Sequence, residues 1–304
     1  MRDTFAARLL ERAADDDRIM FLTGDLGFGV FEGFQRALPK QYLNVGVAEQ
    51  NMVAVATGLA LEGRICFTYS IGNFPVLRCL EQIRNDAAYH DANIKVVSIG
   101  GGFSYGPLGM SHHATEDIAL MRALPAVTSF TPGTLEDVAS SVDALLTTPG
   151  TGYLRLDKST GFETPQAEAF IPGQWRVMSK GTDAAIVAVG GVLAEAQLAA
   201  ELLAAEGISA RVVDAVQMAP IEAEEIMRAL GEVELVITLE EHVVRGGLGG
   251  CVAEAMAESG AHGRLRRVGI GHDYISQVGS QHYLRTQAGL DAESVVAAVV
   301  EAVG

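Results

Sequence analysis

Short runs of apolar, often β-branched residues alternate along this chain with longer segments whose apolar residues recur at helical spacing. The short runs are typical of buried strands, and the longer segments are typical of helices that pack one face on a sheet. Strands are predicted at 19–23, 42–45, 65–69, 94–99, 127–130, 152–156, 184–189, 210–214, 235–239 and 265–270, and helices at 5–14, 51–61, 76–89, 115–122, 135–146, 194–206, 222–230, 248–258 and 291–303. Such alternation indicates an α/β fold with mostly parallel sheets, in which sites gather at the carboxyl ends of strands.

This alternation stops between about Asp157 and Gly181. Ser, Thr, Pro and Gly recur there, Pro165 and Pro172 interrupt the segment, and no period is sustained. A composition of this kind is typical of a linker. We therefore predict two doubly wound domains, at residues 1–165 and 180–304.

Composition and charge exclude several classes of protein. The 304 residues are 49% hydrophobic, which is enough for two ordinary cores, and the formal net charge of -16 argues against nucleic acid as a partner. Cys66, Cys79 and Cys251 lie in apolar surroundings without metal-binding spacing, so neither a disulfide framework nor a zinc site is expected. The amino terminus has no signal-like segment, and no stretch reaches the roughly 18 apolar residues of a membrane span. We expect a cytoplasmic protein without a membrane or nucleic-acid partner.

One carboxylate stands out in the stretch G-V-A-E-Q-N at 46–51, which follows a predicted strand and enters an Ala- and Val-rich helix. Glu49 lies at the start of that helix. One interpretation is a partly desolvated acid that shares a proton with a ligand nitrogen. The other is an acid that is stabilised by the positive end of the helix dipole. The spacing of the residues leaves both interpretations open.

Two further groups follow other predicted strands. His112 and His113 lie in a Gly-rich loop, where a histidine can relay protons near neutral pH, although either ring could instead cap the next helix. Tyr69, Phe74 and Arg78 form the other group. Such an aromatic wall is more often part of a core than a platform for a cofactor.

Two Gly-rich turns invite a nucleotide-binding interpretation, because such turns let backbone N–H groups approach a phosphate. The turn at 24–29 lacks the G-x-G-x-x-G spacing, and the turn at 246–250 is better explained by helix packing. His, Asp and Glu never converge at the spacing of a metal site, so no metal ligand is predicted in this chain.

Taken together, these residues resemble the transketolase family of thiamine-diphosphate enzymes, which includes 1-deoxyxylulose-5-phosphate synthase. The similarity runs over essentially the whole chain. It is carried by G-D-L-G at 24–27, N-V-G-V-A-E-Q-N at 44–51, T-Y-S at 68–70, L-R-C-L-E-Q-I-R-N-D at 77–86, S-H-H at 111–113, E-D-I-A-L-M-R-A-L-P at 116–125, T-L-E-E-H at 238–242 and G-G-L-G at 246–249. The resemblance implies a pyrimidine-binding domain of the thiamine-diphosphate fold, followed by a transketolase C-terminal-like domain.

The resemblance also implies a partner subunit. The family holds the diphosphate and its Mg²⁺ on a preceding domain with a G-D-G motif, and no G-D-G occurs in this sequence. The chain begins where the second domain of a full-length enzyme would begin. We therefore expect one subunit of a split transketolase, with an N-terminal-type partner that carries the diphosphate and Mg²⁺ site. Two copies of each chain are expected to form a heterotetramer, because the cofactor would lie between domains of different chains.

For catalysis the resemblance implies two residues, Glu49 and His112. Glu49 would hydrogen-bond the N1′ nitrogen of the cofactor's pyrimidine ring, and His112 would move protons or bind a substrate hydroxyl. The implied reaction of carbohydrate metabolism is the transfer of a two-carbon ketol unit from a ketose, or ketose phosphate, to an aldehyde. The cofactor serves as the electron sink, and the protein orients and shields the reactants.

For binding, the resemblance implies two groups of residues. The residues implied to face the cofactor are Asp25, Leu26, Tyr69 and Phe74. The residues implied to face the substrate are Arg78, His113 and Lys158. The aromatic pair of the first group would be a platform for the pyrimidine ring, and the two cations of the second lie near family positions that hold a substrate phosphate. Polar family residues are replaced by Leu108 and Gly100, so the donor and acceptor sugars stay open.

Two alternatives remain open at this point. The β-type subunit of a 2-oxo acid dehydrogenase or decarboxylase shares the split architecture. A non-catalytic partner subunit would keep the fold and lose the chemistry, although the presence of Glu49, Phe74 and His112 argues against it.

Overall fold

The computed structural model describes residues 1–158 and 170–303, which form two sheets packed between helices. The strands are β1 Ile19–Thr23, β2 Tyr42–Asn44, β3 Ile65–Ile71, β4 Ile94–Ile99, β5 Val127–Phe130, β6 Thr151–Leu156, β7 Arg176–Ser179, β8 Ala184–Val189, β9 Ala210–Asp214, β10 Gln217–Ala219, β11 Leu235–Val243 and β12 Arg264–Ile270. The helices are α1 Arg2–Asp15, α2 Glu32–Ala37, α3 Glu49–Leu61, α4 Phe74–Leu77, α5 Leu80–Gln82, α6 Asp117–Arg122, α7 Leu135–Thr147, α8 Leu193–Ala205, α9 Ala223–Leu230, α10 Leu248–Glu258, α11 Gln281–Gln287 and α12 Ala292–Val303.

Both sheets are mostly parallel, as the alternating pattern predicts. The first has seven strands in the order β10-β5-β6-β4-β3-β1-β2, and only the edge strand β10 is antiparallel to its neighbour. The second has five strands in the order β12-β11-β8-β9-β7, and only the edge strand β7 is antiparallel. Because β10 follows β9 in the chain but pairs with β5, the later part of the chain returns to complete the first sheet.

Every predicted strand is present, and the differences lie in short elements. The predicted linker contains β7, a half-buried edge strand. Its pairing with β9 includes a register shift, and its residues show no sustained alternation of apolar and polar side chains. The rest of that linker falls partly on residues 159–169, which are outside the described part of the chain. The structure also adds three short elements without a strong local period, namely α2, β10 and α11.

The prediction of one continuous helix at 76–89 is wrong. The segment instead comprises α4, α5, a π-helical turn at Ile83–Ala87 and a 3₁₀ turn at Ala88–His90. Cys79 separates the first two pieces because its φ of -107° and ψ of 6° lie outside helical geometry.

The first sheet is buried on both faces, so the side chains of β3 enter two different cores. Phe67 and Tyr69 pack with Phe5 of α1 in one core cluster. Cys66 packs with α3 in a separate cluster on the other face. Side chains alternate along a strand, so Ser70 shares the α3 face with Cys66, and Tyr69 faces away from it.

Among the helices that the structure describes, none combines the length and the apolar character needed to cross a membrane.

Candidate active site

Glu49 is the first residue of α3, and its side chain is only 5% exposed. Its carboxylate accepts a long hydrogen bond of 3.4 Å from the Ser70 hydroxyl. Its other oxygen lies 3.2 Å from Nη1 of Arg78, whose side chain is half exposed. Within the described residues, the carboxylate contacts these side chains and forms no hydrogen bond to the backbone N–H groups of its own helix start. The geometry therefore favours the desolvated-acid interpretation over the helix-cap interpretation.

Phe74 connects Glu49 to the histidine loop. The Arg78 guanidinium carbon lies 4.2 Å from the centroid of the Phe74 ring. The His112 ring meets Phe74 edge to face, with the ring centroids 5.2 Å apart. The hydroxyl of Ser111 lies 3.0 Å from Nδ1 of His112. The structure thus brings together Glu49, Phe74, Arg78 and His112, which the sequence placed on three separate segments.

Asn73 holds this group in place from the side of α4. Its amide nitrogen donates to the carbonyl oxygens of Ser111 and His113, both at 3.2 Å. The turn that carries Phe74 is therefore tied to both sides of His112. Sequence reasoning missed Asn73 and Ser70, although both flank the aromatic residues that it singled out.

Asp25 and Leu26 lie in the loop after β1, next to the loop that leads into α3. Asp25 adopts a left-handed conformation with φ of 58°, which Asp tolerates better than most residues. Asn44 stabilises this turn because its amide exchanges two 3.0 Å hydrogen bonds with Asp25, and its oxygen also accepts from the N–H of Gly46. Asp25 is exposed and Leu26 is half buried. Asn44 belongs to a quoted motif, yet its role was not predicted.

Tyr69 does not join this group, which corrects its predicted place in a cofactor platform. Its ring is 1% exposed and lies in the core on the opposite face of the sheet from Ser70. It stacks on Phe5 with centroids 6.0 Å apart and meets Phe31 edge to face at 4.8 Å. A side chain enclosed in this way has no free face for a ligand ring.

His113 is buried and follows His112 in the loop. Its ring meets Phe103 edge to face at 5.2 Å, and burial lowers its pKa. Nε2 has no hydrogen-bond partner in the part of the chain that the structure describes. His113 lines a cavity of about 380 Å³ between the two domains, and Leu77 and Tyr274 line the same cavity.

Lys158 lies on the outer side of the histidine loop. Its Nζ is 4.8 Å from the centroid of the Tyr105 ring, and that ring is 6.5 Å from the His112 ring. Its backbone N–H donates to the Ser104 hydroxyl at 3.3 Å. The predicted substrate cations Arg78 and Lys158 therefore lie over two different rings, Phe74 and Tyr105, that are both near His112.

The second Gly-rich turn, for which helix packing is predicted, begins α10, and a Cβ on Gly249 would lie 2.7 Å from Cδ of Arg267. The N–H groups of Leu248 and Gly249 each donate to the Glu240 carboxylate at 2.8 Å, which stabilises the start of the helix. Glu240 thus occupies the position where a bound anion would have to lie. In residues 1–158 and 170–303, no group of three or more His, Cys, Asp or Glu side chains could hold a metal ion.

Comparisons with known proteins identify the family of this chain. Residues 1–162 match the family described as transketolase, pyrimidine binding domain, and residues 173–295 match the transketolase C-terminal domain. An apulose-4-phosphate transketolase subunit from Actinobacillus succinogenes is 36% identical over 86% of this chain and 85% of its own length. A 6-deoxy-6-sulfo-D-fructose transketolase subunit from Clostridium sp. is 35% identical over 99% and 94%. A solved split gene transketolase, described as an inactive beta4 tetramer, has a TM-score of 0.89 at 35% identity and covers 99% of this chain and 97% of that one. The chain therefore belongs to the transketolase family.

Proposed function

We propose that this chain is the pyrimidine-binding subunit of a split, thiamine-diphosphate-dependent transketolase. It would transfer a two-carbon ketol unit from a ketose to an aldehyde acceptor. The observation that carries the proposal is the buried carboxylate of Glu49, whose partner Arg78 also lies over the ring of Phe74. Relatives that are themselves named subunits match this chain over most of their length, which supports the split arrangement.

The residues around Glu49 fit half of a site for thiamine diphosphate. The carboxylate is desolvated, and among the residues that the structure describes it has one long hydrogen bond and one contact to the half-exposed Arg78, so an oxygen can accept another donor. The half-buried ring of Phe74 offers an apolar surface next to it. When bound, the cofactor supplies an electron sink for the cleavage of a carbon-carbon bond.

In this proposal Glu49 holds a proton at its carboxylate oxygen, shared with a nitrogen of the pyrimidine ring. Arg78 covers the same oxygen and one face of Phe74, so it must turn outward when the ring binds. That movement costs little because the Arg78 side chain is 52% exposed and its ion pair is screened by water. Asp25 and Leu26 would line the cofactor from the neighbouring loop.

His112 is proposed to move a proton or to bind a substrate hydroxyl beside Phe74. Arg78, once turned outward, and Lys158 would attract an anionic sugar to the neighbourhood of His112, and His113 would support the loop that carries it. The two named relatives act on ketoses that carry a phosphate or a sulfo group. A ketose with an anionic group at its far end is therefore our proposed donor class.

The other half of the site is proposed to lie on a partner subunit with a G-D-G motif, which would bind the diphosphate and Mg²⁺. Phe28 and Val47, in the loops beside Asp25 and Glu49, are 74% and 75% exposed and offer an apolar surface for that partner. We propose a heterotetramer of two such pairs. The three buried, free cysteines support a reducing cytoplasm as its location.

Reconstitution tests this proposal. The purified chain is mixed with a copurifying G-D-G subunit, thiamine diphosphate and Mg²⁺, and two-carbon transfer from a ketose phosphate to an aldehyde is measured beside CO₂ release from pyruvate. Transfer by the mixture, and not by either chain alone, is the expected result. CO₂ release without transfer would indicate a 2-oxo acid enzyme. A mixture that binds no cofactor would indicate a non-catalytic subunit.

A further inference from the structure

The T-L-E-E-H motif ends β11 in the second domain, and its two adjacent glutamates do different things. Glu240 binds the start of α10, as described above. Glu241 points instead across the domain boundary. Glu241 is 3% exposed, and its Oε1 accepts a 2.5 Å hydrogen bond from the N–H of Phe103. Phe103 is where the loop that carries His112 begins.

Glu241 is itself held firmly. Arg285 of α11 contacts its Oε2 through Nε at 2.7 Å and through the terminal nitrogen at 2.6 Å. The Gln281 amide lies 3.2 Å from both carboxylate oxygens. The same Arg285 reaches Asp157 at 3.3 Å, and Asp157 accepts a short hydrogen bond from Ser104. Loop residues 103 and 104 are therefore both bonded into one buried network.

The other end of the histidine loop is bound to the same strand. The N–H of Val243 donates to the carbonyl oxygen of Thr115 at 2.8 Å. Arg155 donates at 3.0 Å to the carbonyl oxygens of both Ala114 and Glu241. Both ends of the loop thus meet the last residues of β11.

Glu241 packs so closely against residue 102 that this position requires glycine. Gly102 has φ of 59°, and a Cβ at that position would lie 2.5 Å from Cδ of Glu241. Gly102 also exchanges two backbone hydrogen bonds with Ala114, at 2.8 and 3.0 Å, which bring the two ends of the loop together. The Glu241 carboxylate therefore packs directly on the point where the two ends of the loop are joined.

We propose that Glu241 is a positioning residue for His112, by which the second domain sets the geometry of the loop that carries this histidine. The inference rests on the proposed function for its catalytic consequence. Its structural part concerns the loop alone. Small displacements of a reacting group, on the order of 1 Å, can lower rates about 100-fold.

The first test uses the chain itself and does not depend on activity. Hydrogen exchange is followed by mass spectrometry in Glu241→Gln and in the matched control Glu240→Gln. The neutral amide keeps the size of the side chain and loses the charge that Arg285 binds. Amides of the loop from 103 to 113 should exchange at least roughly tenfold faster in Glu241→Gln, because the loop opens locally. In Glu240→Gln the increase should be confined to the start of α10. Equal loop exchange in the two variants would overturn the inference.

The second test uses the reconstituted complex. Glu241→Gln should lower kcat about 100-fold with little change in KM, and Glu240→Gln should leave kcat unchanged. In a His112→Ala background the further loss from Glu241→Gln should disappear, because the residue acts through His112. A loss that persists undiminished in that background contradicts the inference. If the wild-type complex transfers no ketol unit, the proposed function fails, and the exchange measurement still decides whether Glu241 holds the loop.

Discussion

Glu49 and Glu241 are both buried carboxylates, yet their surroundings differ in completeness. Glu241 is met by a guanidinium, an amide and a backbone N–H, all from buried or half-buried positions of its own chain. Glu49 has a long contact to Ser70 and one to the half-exposed Arg78. A buried charge needs partners. Glu241 has them within its own chain, whereas the proposed function supplies a further partner for Glu49 from outside the chain.

The largest effect is expected from Glu49→Gln, which tests the proposed cofactor site. In the reconstituted complex we expect ketol transfer to fall about 10²–10⁴-fold, because the amide cannot hold the proton that is shared with the pyrimidine. Steady-state kinetics measure the loss. The free energy of unfolding of the free chain should change by no more than about 1 kcal/mol, since the Arg78 side chain of the ion pair is half exposed and water screens the interaction. Full activity of this variant would remove the basis for the proposed function.

Arg285→Met tests the closed network. It leaves Glu241 and Asp157 buried without their shared cation, so the chain should lose about 3–5 kcal/mol of stability. Denaturant unfolding measures it. The control is Arg266→Met, whose pair with Glu301 is as short, at 2.5 Å, but has side chains that are 42% and 72% exposed. Its cost should be about 0–1 kcal/mol. Equal costs would show that burial does not distinguish these pairs.

Replacing Phe28 and Val47 together by Ser tests whether the apolar surface that they form is an interface with the partner subunit. Each side chain is about three-quarters exposed, so the free chain should unfold as before. Affinity for the diphosphate-binding subunit should fall at least about tenfold, because burying one such side chain is worth about 1.5–3 kcal/mol. Titration calorimetry measures the affinity. Leu198→Ser, at a 48% exposed position on α8, is the control and should bind normally.

The smallest effect concerns the pH dependence of stability through His113. Burial holds its pKa below the ordinary 6.5, so the unfolded chain takes up a proton just below that pH while the folded chain does not. This group's contribution is therefore present above about pH 6.5 and is lost as the pH falls through the folded value. His113→Gln should reduce the drop in stability between pH 7 and 5, as followed by thermal unfolding at several pH values. An unchanged pH profile would show that His113 titrates normally.

The pattern of the sequence was sufficient for the ten predicted strands and for the long helices other than the segment 76–89, because a buried strand or an amphipathic helix needs the right residues only within its own span. It was also sufficient to mark Glu49, Phe74, Arg78 and His112, which follow the parallel strands β2, β3 and β4 of one sheet. The carboxyl ends of parallel strands meet at one edge of a sheet, so residues far apart in the chain become neighbours there.

Contacts across the fold decided the rest. β3 is buried on both faces and shows no alternation of polarity, so nothing local indicates that Tyr69 faces the core while Ser70 faces Glu49. The short strands β7 and β10 exist because an edge of a sheet accepts them. Glu241 lies 44 residues from Arg285 and 138 from Phe103, and Glu240 beside it looks the same in sequence. What separates these two glutamates is which buried groups the folded chain brings to each, because a carboxylate's role depends on the partners that replace its water.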